Sequence, residues 1–207
     1  MIIVHHLENS RSQRILWMLE ELGLPYAIKR YERNKATMLA PPELKEVHPL
    51  GKSPVIEDDG QVVAETGTIV EYLVDKADGK LGAPANRADA LRYRFWHHYA
   101  EGSMMPPLLL KLVLARIPIM GKVAVKKIQP MIDVHLDYVE AELSKRPWFA
   151  GSEMTGADIM MSFPLEAARS RGGLDESRPA TIAWLAKVHA RPAYQTGLNK
   201  GGPYAYA

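Results

Sequence analysis

The sequence predicts an α/β domain of order βαβ then ββα, followed by an all-helical domain. Three observations carry that prediction. Asp59-Gly60 separates two β-rich runs, Pro54-Val55-Ile56 and Gln61-Val62-Val63-Ala64, and such a dipeptide is a strong hairpin signal. Upstream of it, apolar runs short enough for strands alternate with a run of helical period. Beyond Asp75 no segment reads as a strand, and several long segments read as helices.

Taken in order, Ile2-Ile3-Val4 is a short buried strand. Asn9-Ser10-Arg11-Ser12 is a polar helix entry. Ile15, Leu16, Leu19 and Leu22 follow at helical spacing, and Gly23 with Pro25 ends the helix. Tyr26-Ala27-Ile28 begins a second strand, which returns parallel to the first through a right-handed crossover. A short helix is expected over residues 43–47, before Pro49. After the hairpin, Thr66 is the expected N-cap of a helix that ends near Lys76, with Ile69, Val70 and Leu73 on its apolar face.

Turn formers between Asp78 and Ala85 mark a junction. The expected division is residues 1–79, a linker at 80–85 and a helical domain over 86–207. Helices are expected over 87–115, 122–145, 155–171 and 179–190, with Pro106, Pro107 and Pro118 bending or dividing the first region. Thr155-Gly156-Ala157-Asp158-Ile159 reads as a helix start in which Thr155 caps and Asp158 reaches back. Residues 201–207 lack periodicity and are expected to form an irregular tail.

Composition excludes several classes of function. The 207 residues are 47% hydrophobic, enough for a substantial core. The chain holds 10 basic and 13 acidic residues up to Lys80, and 16 and 11 beyond it. That asymmetry is mild and scattered along helices, unlike a nucleic-acid footprint. The chain has no cysteine, which rules out disulfides, thiolate metal sites and cysteine nucleophiles. Met1-Ile2-Ile3-Val4-His5-His6 lacks the pattern of an export signal, and the most apolar stretch, 104–118, is interrupted by Lys111, Arg116 and three prolines. A cytoplasmic protein without a membrane span is expected. His5-His6 and His97-His98 are adjacent pairs that point to different faces in a strand or a helix, so no metal site is expected.

Two short motifs carry chemistry. The start of a helix at Thr66 exposes unpaired N–H groups and a partial positive charge, a seat for a carboxylate. Ser53 precedes Pro54, where a cis peptide is affordable and can turn the backbone of Ser53 toward an extended peptide. Backbone pairing beside an anion seat suits a small acidic peptide. Read singly, each has an ordinary structural role: a helix start at Glu65-Thr66, a strand start at Pro54, an N-cap at Ser10.

With Ser53-Pro54 followed by Glu65-Thr66, and Phe149-Ala150-Gly151 leading into Thr155-Gly156-Ala157-Asp158-Ile159, the chain resembles the glutathione S-transferase superfamily over nearly its whole length. The resemblance implies a thioredoxin-like N-terminal domain and the family's helical second domain. The entry Asn9-Ser10-Arg11-Ser12-Gln13-Arg14 is similar to that of serine-type bacterial and fungal members near the theta and zeta groups.

The resemblance also implies roles. Glutathione would be the co-substrate, with no metal. Ser53 would pair through its backbone with the cysteinyl part, with Pro54 cis. Thr66 would hold the γ-glutamyl carboxylate and Glu65 the ammonium; Lys52 and His48 would approach the glycine carboxylate. Ser10 would donate a hydrogen bond to the sulfur; the zeta pattern selects Asn9 instead, which can donate through its amide. A donor to the thiolate lowers a thiol pKa of about 8.5 toward neutrality. The ionised sulfur would attack a hydrophobic electrophile. Tyr99, Met104, Met105, Leu108 and Leu112 form a helical apolar stripe that is core by default, and the resemblance places the electrophile pocket on that part of the chain. A homodimer is implied. Two alternatives keep the same binding site: a glutathione-dependent isomerase and a non-catalytic glutathione-binding protein.

Overall fold

The computed structural model describes residues 1–118 and 120–206. The chain forms two compact units. The first holds Met1–Gly82 together with His189–Ala205, and the second holds Ala83–Val188 with Tyr206.

The first unit is built on a mixed sheet of order β2-β1-β3-β4. Strand β1 spans Ile2–Leu7, β2 Tyr26–Tyr31, β3 Val55–Asp58 and β4 Gln61–Ala64. β1 runs parallel to β2, from Ile2 opposite Tyr26 to Leu7 opposite Tyr31. It runs antiparallel to β3, with Ile3 opposite Glu57 and His5 opposite Val55. The β3–β4 hairpin turns on Asp59 and Gly60, whose φ angles of 49° and 82° are those of the tight turn that an Asp-Gly pair favours. β1 runs past the apolar Ile2-Ile3-Val4 because His5 and His6 are both buried with polar partners.

Helix α1, Ser12–Leu22, buries Ile15, Leu16, Leu19 and Leu22, and also Ser12, Gln13, Arg14, Trp17 and Met18. Burial on so many sides has a cause that the sequence reading lacks. Beyond the short helix α2, Leu44–Val47, and α3, Thr66–Lys76, the unit takes in a helix from the far end of the chain, Pro192–Gly201. That C-terminal helix packs along α1. Tyr194 meets the edge of Trp17 at 5.7 Å, and a Cβ on Gly197 would lie 3.0 Å from the backbone nitrogen of Trp17. Arg191 pairs with Glu21 at 2.9 Å, and Lys200 with Glu20 at 2.5 Å. The expected helical domain over 86–207 thus differs from the packing at its end, since His189–Ala205 group with the sheet. The last expected helix stopped at Ala190 and left this one unread. Residues 202–204 are irregular and Ala205-Tyr206 form a turn, as expected of the tail; Ala207 lies outside the described residues.

Two helix starts differ from expectation. Thr66 is the first residue of α3 and Glu65 is its N-cap; the helix at Ser12 has Arg11 in the cap position. At the far end of α3, Lys76 and Tyr72 bond the buried Asp58 at 2.6 Å and 2.8 Å, tying the helix back to the hairpin. Those two bonds hold the Asp58 carboxyl below its usual range.

The second unit is helical. After α4, Arg87–Tyr99, a π-helical stretch covers Ala100–Met104, and α5 spans Met105–Leu114. The break falls where expected: Pro106 and Pro107 lack N–H groups, so they cannot continue the α-helical ladder of the preceding turn. Then follow α6, Met120–Leu143, α7, Gly156–Ala167, a second π-helical stretch at Ala168–Gly172, and α8, Pro179–His189. The Pro192–Gly201 helix is therefore α9. The core of this unit includes Trp96, stacked on Tyr138 at 5.4 Å and tilted against Phe149 at 4.6 Å. Among the described residues no helix is long and apolar enough to cross a membrane.

Asp158 organises the start of α7. It accepts from Phe149 N–H at 3.0 Å and from Thr155 N–H at 2.9 Å, the reach-back that the sequence predicts. Complete burial nevertheless raises its pKa to about 6, with the two N–H bonds opposing the rise. Asp158→Ala leaves two buried donors unpaired, and the expected loss is about 2–4 kcal/mol of stability, measured by urea unfolding.

Candidate active site

The site is assembled in the first unit at the end of the sheet where β1 and β4 finish and β3 begins. The hairpin register does the assembly. Val55 lies opposite Ala64 as the last pair of the ladder, so Ser53 and Pro54, which lead into β3, and Glu65 and Thr66, which follow β4, lie at the same end of the hairpin. The Ser53–Pro54 peptide is cis. Glu65 is exposed and has φ 71° and ψ 125°, a conformation that non-glycine residues rarely adopt and that costs on the order of 1–3 kcal/mol. Thr66, the next residue, is buried.

The first intrahelical bond of α3 runs from Ile69 N–H to Glu65 C=O at 2.9 Å. Helix geometry therefore leaves the N–H groups of Thr66, Gly67 and Thr68 without an acceptor inside α3. These are the N–H groups that the sequence reading takes as a seat for a carboxylate. The side chain of Ser53 is committed elsewhere. Its hydroxyl donates to His5 C=O at 2.8 Å and accepts from Leu7 N–H at 3.2 Å, just past the last β1–β3 ladder pair. That anchors the start of β3 to the end of β1.

Three residues past Leu7 stands Ser10, almost fully buried. Its Oγ lies 2.8 Å from Ser12 Oγ and accepts from Ser12 N–H at 3.2 Å. Ser12 Oγ in turn lies 2.8 Å from His6 Nδ1. The preceding Asn9 has φ 49°, in the left-handed region that asparagine tolerates better than most residues. Its Oδ1 accepts from Ala205 N–H at 2.8 Å.

Arg33, absent from the sequence reading, holds this loop from outside. Its Nε donates to Glu8 C=O at 3.1 Å and its Nη2 to Asn9 C=O at 3.2 Å, while Glu8 Oε1 accepts from Arg33 N–H at 2.8 Å. No pattern in the chain marks an arginine beyond the second strand for that role.

The remaining predicted residues are placed as follows. Lys52 is exposed, immediately before Ser53. His48 is half-buried and its Nδ1 accepts from Leu50 N–H at 3.4 Å, within a turn closed by Gly51 N–H on His48 C=O at 2.8 Å. In the second unit Met104, Met105 and Leu108 are buried and belong to its core, while Tyr99 and Leu112 are half-buried. Tyr99 hydrogen-bonds His135, and burial pushes its phenol up to about 12. His5 and His6 face different partners: His5 bonds Tyr31 at 2.8 Å and Glu57 at 2.7 Å, and His6 bonds Ser12. Among the described residues no group of three His, Cys, Asp or Glu side chains could hold a metal ion.

Comparison with known proteins is consistent along the chain. The family model for the glutathione S-transferase N-terminal domain matches residues 10–76, and that for the C-terminal domain matches residues 104–192. The chain is 38% identical to glutathione S-transferase 3 of Schizosaccharomyces pombe, over 97% of this chain and 88% of that protein. A glutathione S-transferase structure from Actinobacillus pleuropneumoniae superposes with a TM-score of 0.88 at 33% identity, covering 100% of this chain and 95% of that one. A family member from Pseudomonas fluorescens, solved with two glutathione bound, superposes with a TM-score of 0.79 at 26% identity, covering 95% of this chain and 91% of that one.

Burial and the nearby Arg30 lower the pKa of His6 to about 4, against an ordinary 6.5. His6 is therefore neutral in the folded protein at neutral pH. Its contribution to stability is complete above pH 6.5 and is lost as pH falls from there toward 4, because the unfolded chain takes up the proton first. The gap in unfolding free energy between the protein and His6→Asn is expected to narrow over that window by on the order of 3 kcal/mol, read from urea titrations at several pH values.

Proposed function

Given that the chain belongs to the glutathione S-transferase family, we propose that it binds glutathione across Ser53 and Thr66 and ionises its thiol at Ser10 for attack on a hydrophobic electrophile. The observation that carries this reading is the register of the β3–β4 hairpin, whose last pair, Val55 and Ala64, brings Ser53 to the same end as the strained Glu65 and the start of α3. Strain of that kind persists where the surroundings enforce it, and it clusters at ligand sites.

In this reading the backbone of Ser53 pairs with the cysteinyl residue as a short added strand. The γ-glutamyl carboxylate sits on the N–H groups and hydroxyl of Thr66, where the helix end favours negative charge. Glu65, exposed beside it, meets the ammonium. Lys52 and His48 serve the glycine carboxylate; Lys52 is exposed and positioned for a long reach, whereas the ring of His48 is engaged by its own turn.

Ser10 is the donor to sulfur. It stands at the entry to α1, where its hydroxyl and the helix dipole act together on a developing thiolate. Asn9 is the weaker candidate, because its amide oxygen is already held by Ala205 and its orientation is set by that bond. On ionisation the S–H bond breaks, the proton leaves to solvent, and the sulfur lone pair forms a C–S bond to the electrophile as a leaving group departs with its bonding pair or a polarised double bond opens and takes a proton from solvent. Tyr99 and Leu112 are the stripe residues with exposed surface to offer the electrophile. A homodimer is supported by exposed apolar side chains on α4 and α6 in the second unit, Leu91, Phe95, Val134 and Tyr138; a second copy would cover them.

Calorimetry with glutathione tests the binding half: uptake is expected, and Thr66→Ala is expected to weaken it about tenfold. No uptake by the folded protein at millimolar glutathione overturns the reading. Ser10→Ala is expected to lower kcat by about 10- to 100-fold with glutathione affinity nearly unchanged, and to raise the pKa of the bound thiol. Full activity with an unchanged thiol pKa in that variant removes Ser10 from the role.

A further inference from the structure

Ser10 is the outer end of a buried hydrogen-bond chain whose inner end is in α9. Its members are almost sealed from water: His6 is 1% exposed, Ser12 0% and Ser10 6%. With bulk water excluded, the protein's own donors and acceptors dictate the direction of each bond.

That direction follows link by link. The His6 ring donates to the backbone carbonyl of Gly201. Nδ1 is occupied by Ser12 at 2.8 Å, so the donor is Nε2, the ring atom that faces Gly201. A side chain could not stand between them, because a Cβ on Gly201 would lie 3.3 Å from Nε2 and 2.7 Å from Gln13 Oε1. A neutral imidazole that donates from Nε2 can only accept at Nδ1. Burial, helped by the charge of Arg30 beside the ring, keeps it neutral. Ser12 O–H therefore donates to His6 Nδ1, with Leu7 C=O at 3.3 Å as its other acceptor. Neither partner donates to Ser12, so the short Ser10–Ser12 contact of 2.8 Å is made by the Ser10 proton. The chain runs inward: Ser10 to Ser12 to His6 to Gly201.

We infer that Ser12 and His6 are positioning residues that set the polarity of the Ser10 hydroxyl and thereby the acidity of the bound thiol. The inference rests on the reading that Ser10 faces the glutathione sulfur. In the resting protein the Ser10 proton points to Ser12, and Ser10 Oγ presents a lone pair outward. A bound thiol first donates its S–H to that lone pair. When the S–H bond breaks and its proton passes to solvent, the Ser10 O–H must turn from Ser12 Oγ to the sulfur. The thiolate gains a charge-assisted bond at the expense of a neutral one, so Ser12 competes with sulfur for a single proton. Ser12 thus holds the thiol pKa above the value that an unopposed Ser10 would produce.

Spectroscopic titration of the bound glutathione thiolate tests this. Ser12→Ala removes the competitor and is expected to lower the thiol pKa by about 0.5–1, opposite in sign to Ser10→Ala. Ser12→Thr restores the hydroxyl and is expected to return the pKa to that of the unmodified protein. A buried serine with a merely structural role would give Ser12→Ala an unchanged or higher thiol pKa together with lower stability, and that result overturns the inference. If Ser12→Ala does not fold, Ser12→Cys, near in size and a weak acceptor, is read instead after subtracting its titration without glutathione; a fall in thiol pKa is again expected, and no fall overturns the inference. Absence of glutathione uptake by the unmodified protein would instead overturn the function proposed above. Uptake with a Ser10→Ala shift but no Ser12 effect would leave that function standing and remove this inference alone.

Discussion

The constraint on which the site depends is the two-residue turn at Asp59-Gly60. Its left-handed φ angles allow no slack in the hairpin, so the pairing of Val55 with Ala64 is set by the turn itself. From that pairing the neighbourhood of Ser53 and Thr66 follows without further choice. A slip of one residue would exchange the faces of Val55 and Ile56, which are buried on opposite sides of β3, and it would also part the segment at Ser53 from the start of α3. Asp58, bonded to Lys76 and Tyr72, then fixes the far end of α3 to the same hairpin, so both ends of the helix are tied to two short strands.

Around this frame, the loop from β1 to α1 is held from several sides. Ser53 bonds the last residues of β1, Arg33 takes the carbonyls of Glu8 and Asn9, and Ala205 takes the Asn9 side chain. A loop that presents a small hydroxyl to a ligand needs such support, because an error of about 1 Å in placing a donor costs much of its electrostatic effect. Part of that support comes from the tail, 196 positions away, through Ala205 on Asn9, while α9 pairs with the other end of α1 at Glu20 and Glu21.

Two buried ionisable groups show opposite ways of paying for burial. His6 stays neutral and uses both ring nitrogens, one as donor and one as acceptor. Asp158 is surrounded by N–H donors that partly offset its desolvation, so it can keep a charge at neutral pH at the start of α7. In each case burial is the largest influence on the protonation state, and the backbone partners oppose it.

The strand–helix order, the hairpin, the proline break before α5 and the reach-back of Asp158 were determined by the sequence itself. Each depends on residues within a few positions of one another: Asp59 with Gly60, Pro106 with Pro107, Thr155 with Asp158. The neighbourhood of Ser53 and Thr66 was legible for the same reason, since one short hairpin joins them. The tertiary structure alone decided that α9 belongs with the sheet, that Arg33 supports the Ser10 loop, that Met104, Met105 and Leu108 are the buried members of their stripe while Tyr99 and Leu112 are half-buried, and that His6 and Ser12 lie behind Ser10. Local periodicity reports which face of a segment is apolar, but it carries no information on which distant segment covers that face. Hydrogen-bond polarity is less visible still, because it is set jointly by partners from β1, α1 and α9 that meet only in the folded chain.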